Sequence, residues 1–142
     1  MLSELQVGEF LAALGERTPS PASGAATALT AALAAALAEL AARFAGDEDA
    51  VLKAKAAVTR LVQLADEDGT AYAAFMADRN DQTRARIIAV PEEIAARADE
   101  VAELGEKVRA QLTSSVAADA EAAVALARTA ARVARRLAEL NA

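Results

Sequence analysis

The chain of 142 residues contains no cysteine and no histidine. Without cysteine there can be no disulfide and no thiolate metal site, and without histidine no imidazole can hold a metal or carry a proton. Tryptophan is also missing, with one Tyr and three Phe bringing the aromatic share to 3% against 55% hydrophobic residues overall. Ala, Leu and Val must therefore build the core. Runs of alternating β-branched residues are absent as well, and Ala is the strongest helix former, so the composition predicts an all-α protein. Any catalysis is left to carboxylates, Lys, Arg, Tyr or hydroxyls. There is no surplus of positive charge: 15 Lys and Arg face 21 Asp and Glu, for a net charge of −6. The Arg-rich stretch near the C-terminus is interleaved with acids, so no nucleic-acid partner is expected. Glu4 and Glu9 near the start, with no basic flank, are unlike a signal peptide, and a cytoplasmic location is expected. The length suits one domain, residues 1–142.

What the chain does have is a long uncharged stretch. From Thr18 to Ala38 no residue is charged, and the run continues through Glu39 to Phe44. It is about as long as a membrane span of roughly 20 residues. Its first third, however, holds Pro19, Pro21, Ser20, Ser23 and Gly24, and the remainder is mostly weakly apolar Ala. The core helix of a bundle is the better reading, with no membrane partner.

Periodicity divides the rest into a bundle of about five helices. Ser3 followed by Gln6 has capping-box spacing, and Leu5, Phe10, Leu11 and Leu14 fall near helical register, which predicts a first helix over about 4–14 ending near Gly15. A loop over 15–23 leads to a second helix from Gly24 to Gly46. There Leu29, Leu33, Leu37, Leu40 and Phe44 form one stripe, and small Ala and Thr side chains opposite let another backbone come close. A helix apolar on every side needs more cover than the other helices supply, so a homodimer through helices is expected.

Asp47 is placed to cap a third helix over about 48–79, with Val58, Leu61, Val62, Ala65, Tyr72, Phe75 and Met76 as its seam. Residues 80–90 read as a connection, and Pro91-Glu92-Glu93 as the first turn of a fourth helix over about 91–111. Ser114 and Ser115 are placed to cap a last helix over about 116–140. Its seam runs Asp119, Ala123, Leu126, Ala130, Val133, Leu137 and Leu140.

Two carboxylates fall in these apolar seams. Seven-residue steps from Leu61 land on Asp68 and Phe75, so Asp68 points inward, whereas Asp66 shares a polar face with Thr59, Gln63 and Thr70. Burial disfavours the charged carboxylate, which lets an Asp hold a proton near neutral pH and act as a general acid. The plainer alternative is that Asp119 serves the helix dipole from its first turn and that Asp68 pairs with an Arg or a backbone group. The loop before the second helix offers free N–H groups at a helix N-terminus, with Gly24 allowing a ligand close to the backbone. Ser20 and Ser23 are placed either to meet a ligand or to cap that helix.

The order of these features resembles one family. Phe10-Leu11, the run Pro21 to Ala28 opening an Ala-rich helix, and Asp66, Asp68, Ala71 and Tyr72 on the next helix are similar to the formiminotetrahydrofolate cyclodeaminase / methenyltetrahydrofolate cyclohydrolase family. Asp119 and the closing Leu140-Asn141 look like that family's Ser-Asp helix and Asn-rich end. The likeness is continuous over about 8–78 and looser from 110 onward. It implies a cyclodeaminase-like, up-and-down-like bundle that forms homodimers and takes a tetrahydrofolate derivative as substrate, with no metal. It further implies closure of 5-formimino-tetrahydrofolate to 5,10-methenyl-tetrahydrofolate with loss of ammonia, or hydrolysis of the methenyl form.

On the same resemblance, Asp68 would be the first candidate for proton donor and Asp66 the second. Pro21, Ser23, Gly24 and Tyr72 would bind the folate, and Asp119 would orient it. The family's Pro-Gly-Gly-Gly-Ser is replaced by Pro21-Ala22-Ser23-Gly24-Ala25, and its Leu-Pro-Lys-Xaa-Thr segment is absent after Met76. The alternative is a non-catalytic helical dimer that kept the scaffold without the folate site; a third reading is a helical cover for another protein's groove.

Overall fold

The computed structural model describes residues 1–142 and contains five α-helices after a short 3-10 turn at Leu2–Glu4. They are α1 (Val7–Gly15), α2 (Ser23–Ala45), α3 (Glu48–Ala77), α4 (Asp81–Arg109) and α5 (Ala117–Asn141). No strand is present, as the composition predicts. Helix α2 is central: α3, α4 and α5 all pack against it, and α4 and α5 also pair with each other.

The core is dominated by alanine. Ala28, Ala31, Ala34, Ala35, Ala38, Ala41 and Ala42 of α2 are buried, and Leu61, Leu64, Ile94 and Val101 fill the spaces between helices. Methyl groups at the contact faces let helix axes approach closely, because interaxial distance follows the size of the side chains at the contact. The small side of α2 thus meets the other helices, as its side chains predict, and the leucine stripe is the less covered side. Leu29 and Leu37 are half-buried, but Leu33, Leu40 and Phe44 stand 64%, 41% and 67% exposed. Leucine is too bulky for the closest contacts, and the small side therefore faces inward.

The seam of α5 is corrected for the same reason. Ala120, Ala123, Val124, Ala127, Ala130, Ala131, Ala134 and Ala138 are buried, whereas Leu126, Val133 and Leu140 are exposed. Only Ala123 and Ala130 of the expected seam are fully buried. Asp119 stays in the first turn and is only half-buried. A backbone N–H, that of Val116, donates to Ser114 Oγ, but no side chain caps α5.

Two helix starts also differ from expectation. Helix α1 begins at Val7 rather than near residue 4, because Glu9 reaches back to accept from the Gln6 N–H at 3.0 Å. Residues 80–90 are not a connection: α4 starts at Asp81, ten residues before Pro91. The Asn80 side chain accepts from the Thr83 N–H at 2.9 Å, and Thr83 Oγ1 accepts from the Asn80 N–H at 3.0 Å. Ile87, Val90, Pro91, Ile94 and Ala98 then form a buried stripe through the proline.

A proline inside a helix leaves the carbonyl four residues earlier without its usual N–H donor. That carbonyl belongs to Ile87, and Asn141 Nδ2 donates to it at 2.8 Å. The end of α5 thus supplies the bond that Pro91 lacks. Arg84 in turn donates to the Asn141 carbonyl at 3.3 Å, and its guanidinium lies over the Phe75 ring, 5.2 Å from the centroid. The ends of α3 and α5 and the start of α4 are joined at one point.

Candidate functional site

Three adjacent acids on α3 meet three different fates. Successive helix residues point about 100° apart, so Asp66, Glu67 and Asp68 face different neighbours. The Asp66 carboxylate accepts from the Ser3 N–H at 3.2 Å and the Ser3 hydroxyl at 2.5 Å, fastening the N-terminal 3-10 turn to α3. Ser3 therefore does not cap the first helix. Glu67 pairs with Arg60 at 3.1 Å and Arg86 at 3.6 Å. Arg60 also makes a two-pronged contact with Glu93 at 2.6 and 2.7 Å, which holds the Glu93 carboxyl below the usual carboxylate range. This network ties α3 to α4.

Asp68 has no such partner. It is half-buried between α3 and the start of α2, no side chain or backbone N–H of the chain donates to it, and burial pushes its pKa above the ordinary aspartate value. On α2 it lies against Gly24, which is buried. A Cβ placed on Gly24 would overlap both carboxyl oxygens and the carboxyl carbon of Asp68. Gly24 thus lets something close to the backbone, and that something is the chain's own acid.

The N-terminus of α2 is uncapped. Its N-cap position is Ala22, and neither Ser20 nor Ser23 makes a cap bond; the first main-chain bond runs from Ala26 N–H to the Ala22 carbonyl. The N–H groups of Ser23, Gly24 and Ala25 accordingly have no acceptor within the chain. Unsatisfied N–H groups at a helix start carry a partial positive charge suited to an oxygen ligand. Ala at the N-cap is the sequence signal for this, since Ser or Asp there would have satisfied one of them.

The loop before α2 folds onto α3. Ser20 Oγ lies 3.5 Å from the position of a Cβ on Gly69, the residue after Asp68. Pro21 follows through a cis peptide bond and is half-buried. Ala22 and Ser23, which carry side chains where the resembling family has glycine, are both exposed. Tyr72 sits one turn beyond Asp68 on α3 and is half-buried. Pro21, Ser23, Gly24, Asp68 and Tyr72 are therefore drawn to one end of the bundle.

Asp119 lies at the other end. Its neighbour Ala120 packs with Ala41, Ala42, Ala50 and Val108. Gly24 and Ala41 are separated along α2 by roughly 25 Å at 1.5 Å per residue. Within one chain Asp119 and Asp68 are not brought together.

Two grooves lie elsewhere on the bundle. One, of about 640 Å³ between α3 and α4, is lined by Lys53, Arg60, Arg97, Lys107 and the acids Glu100 and Glu103. Another, of about 500 Å³ and almost wholly apolar, runs between the N-terminal segment and α2, past Val7, Phe10, Leu11, Leu29 and Leu33. No cluster of acids is arranged to hold a metal ion.

Residues 6–142 match the family described as formiminotransferase-cyclodeaminase. Among solved structures, the chain is similar to a formiminotetrahydrofolate cyclodeaminase from Thermotoga maritima, with a TM-score of 0.92 at 23% sequence identity. The alignment covers 99% of this chain and 80% of that one, and the likeness establishes a shared helical fold. A search of curated proteins finds no significant match.

Proposed function

The chain belongs to the formiminotransferase-cyclodeaminase family, and from that premise we propose that it is a one-carbon enzyme acting on a reduced folate at the α2 N-terminus. The observation that carries this reading is the isolation of Asp68. Of three adjacent acids it alone lacks a partner, and burial favours its protonated form. A carboxyl whose protonated form burial favours is a suitable general acid.

In cyclisation, the N10 amine of 5-formimino-tetrahydrofolate, whose formimino nitrogen enters protonated as C=NH2+, adds to the formimino carbon, and the C=N electron pair moves to the exocyclic nitrogen, leaving a neutral NH2 group. The resulting tetrahedral carbon is bonded to three nitrogens. Asp68 donates its proton to the exocyclic nitrogen, the C–N bond breaks to release ammonia, and electron donation from N5 and N10 forms the methenyl cation. The proton lost from N10 returns to the Asp68 carboxylate. Hydrolysis of the methenyl form would pass through a similar carbon, with water as nucleophile and a ring nitrogen as the group that accepts the proton.

The free N–H groups of Ser23, Gly24 and Ala25 suit a ligand oxygen beside the acid, with Pro21 and Tyr72 at the edges of the same region. Asp66, already occupied by Ser3, is assigned to holding the N-terminal turn rather than to proton transfer. Asp119 remains outside the site formed around Asp68 of the same chain. The second reading, a helical dimer without a folate site, is favoured by the side chains on Ala22 and Ser23, which narrow the approach to α2.

Both readings include self-association through the outer face of α2. Leu33, Leu40 and Phe44 repeat at helical spacing, are exposed, and continue into the apolar groove beside α1. A two-fold contact would cover this stripe with its own copy.

Thermal melting with tetrahydrofolate and its 5-formimino and 5,10-methenyl derivatives separates the readings. A concentration-dependent rise in Tm supports the enzyme. No rise with any of the three supports the dimer that lacks the site.

A further inference from the structure

Gly24 is buried in the first turn of α2, yet its backbone does not require glycine, since the only positive φ in the chain is at Gly46. The requirement is one of space. The three nearest atoms that a Cβ would meet are the two oxygens and the carboxyl carbon of Asp68, all inside the distance at which something must shift. Gly69, beside Asp68, differs: a Cβ there would meet only Ser20 Oγ at an ordinary 3.5 Å. Asp68 is a short side chain on a rigid helix, so it cannot yield to a methyl group by bending a long stem. It must change rotamer or α2 must move away from α3.

We propose that Gly24 is a positioning residue whose missing side chain fixes where the Asp68 carboxyl stands at the start of α2. A methyl group at position 24 would turn the carboxyl out of this seat, away from the free N–H groups of Ser23, Gly24 and Ala25. The carboxyl has no hydrogen bond or ion pair that would hold it in place against such a push. Its charged neighbours on α3, Asp66 and Glu67, are engaged by Ser3 and by Arg60 and Arg86. The glycine is thus specified by an acid of this chain. The consequence for turnover rests on the folate reading above, but the steric claim does not.

A double-mutant cycle tests it. Gly24→Ala should lower the Tm when Asp68 is present. In the Asp68→Ala background, where the carboxyl is gone, Gly24→Ala should leave the Tm unchanged or raise it, because Ala is the better helix former. Carbon-13 NMR of the Asp68 carboxyl should show its titration midpoint move down toward the ordinary aspartate value in Gly24→Ala. With a turned-over folate, kcat should fall at least tenfold while KM changes less than threefold. Equal Tm losses in both backgrounds, or an unchanged Asp68 titration, would overturn the proposal. If Gly24→Ala does not fold alone, its folding in the Asp68→Ala background supports the contact, and its failure there counts against it. Absence of folate turnover in the unaltered protein would reject the reaction while the Tm cycle and the titration still decide the role of Gly24.

Discussion

At the scale of single residues, the account turns on a carboxyl that the fold would rather leave uncharged. The Asp68 pKa is raised by burial above the ordinary aspartate value, so the folded state binds a proton more tightly than the unfolded one. The stability this gives is fully present below the unfolded pKa and is lost as pH rises through the folded pKa. Asp68→Asn removes the titration while keeping the shape. Melting curves across pH should therefore show the Asn variant more stable than the parent at neutral pH, with the gap closing as pH falls toward 4 and below. A constant gap would mean that Asp68 is not desolvated. The inward direction of Asp68 was legible in the sequence from its seven-residue relation to Leu61 and Phe75. Its meeting with Gly24 was not, because no local pattern says which residue of α2 faces a given turn of α3. The polar reading of Asp66 was also legible, but its bond to Ser3 depends on a fold-back across 63 positions. The two glycines that this chain lacks relative to the resembling family correspond to exposed Ala22 and Ser23, while the retained Gly24 is the buried one.

At the scale of helices, the number and type of elements follow from composition and period, and the faces do not. In a chain so rich in Ala, the buried side of a helix is chosen by how closely backbones can approach, and this put the alanines of α2 and α5 inside and several leucines outside. A reading that ranks positions by side-chain size selects the opposite stripe. The start of α4 was missed for a different reason. Pro91 is a strong local stop signal, and the donor that makes it tolerable, Asn141, is 54 residues from the Ile87 carbonyl it serves. The replacement can be tested as a cycle. Asn141→Ala should cost about 1–2 kcal/mol in the parent, the usual penalty for a hydrogen-bond acceptor left without its partner. In a Pro91→Ala background the restored N–H at residue 91 can serve Ile87, and the same substitution should cost well under half as much. Denaturant unfolding of the four proteins gives the coupling directly; equal costs in both backgrounds would show that Asn141 acts elsewhere.

At the scale of the molecule, three features meet on α2. Its alanine face organises the bundle, its N-terminus receives Asp68, and its outer face leaves Leu33, Leu40 and Phe44 exposed. Leu33→Glu with Leu40→Glu places charge on that outer face without touching the buried one. Sedimentation equilibrium should then report a monomer, and the parent a dimer; a monomeric parent would remove the self-association reading. Because Asp68 stands at one end of α2 and Asp119 near the other, the folate reading depends on chemistry at the Asp68 end alone within each chain. Ammonia release from 5-formimino-tetrahydrofolate, measured for the parent and for Asp68→Asn under saturating substrate, decides whether Asp68 carries a cyclodeaminase reaction. Steady release by the parent and a loss of about 100-fold or more in the variant are expected, the scale of a removed general acid. No release by the parent, or equal rates in the two proteins, would rule that role out.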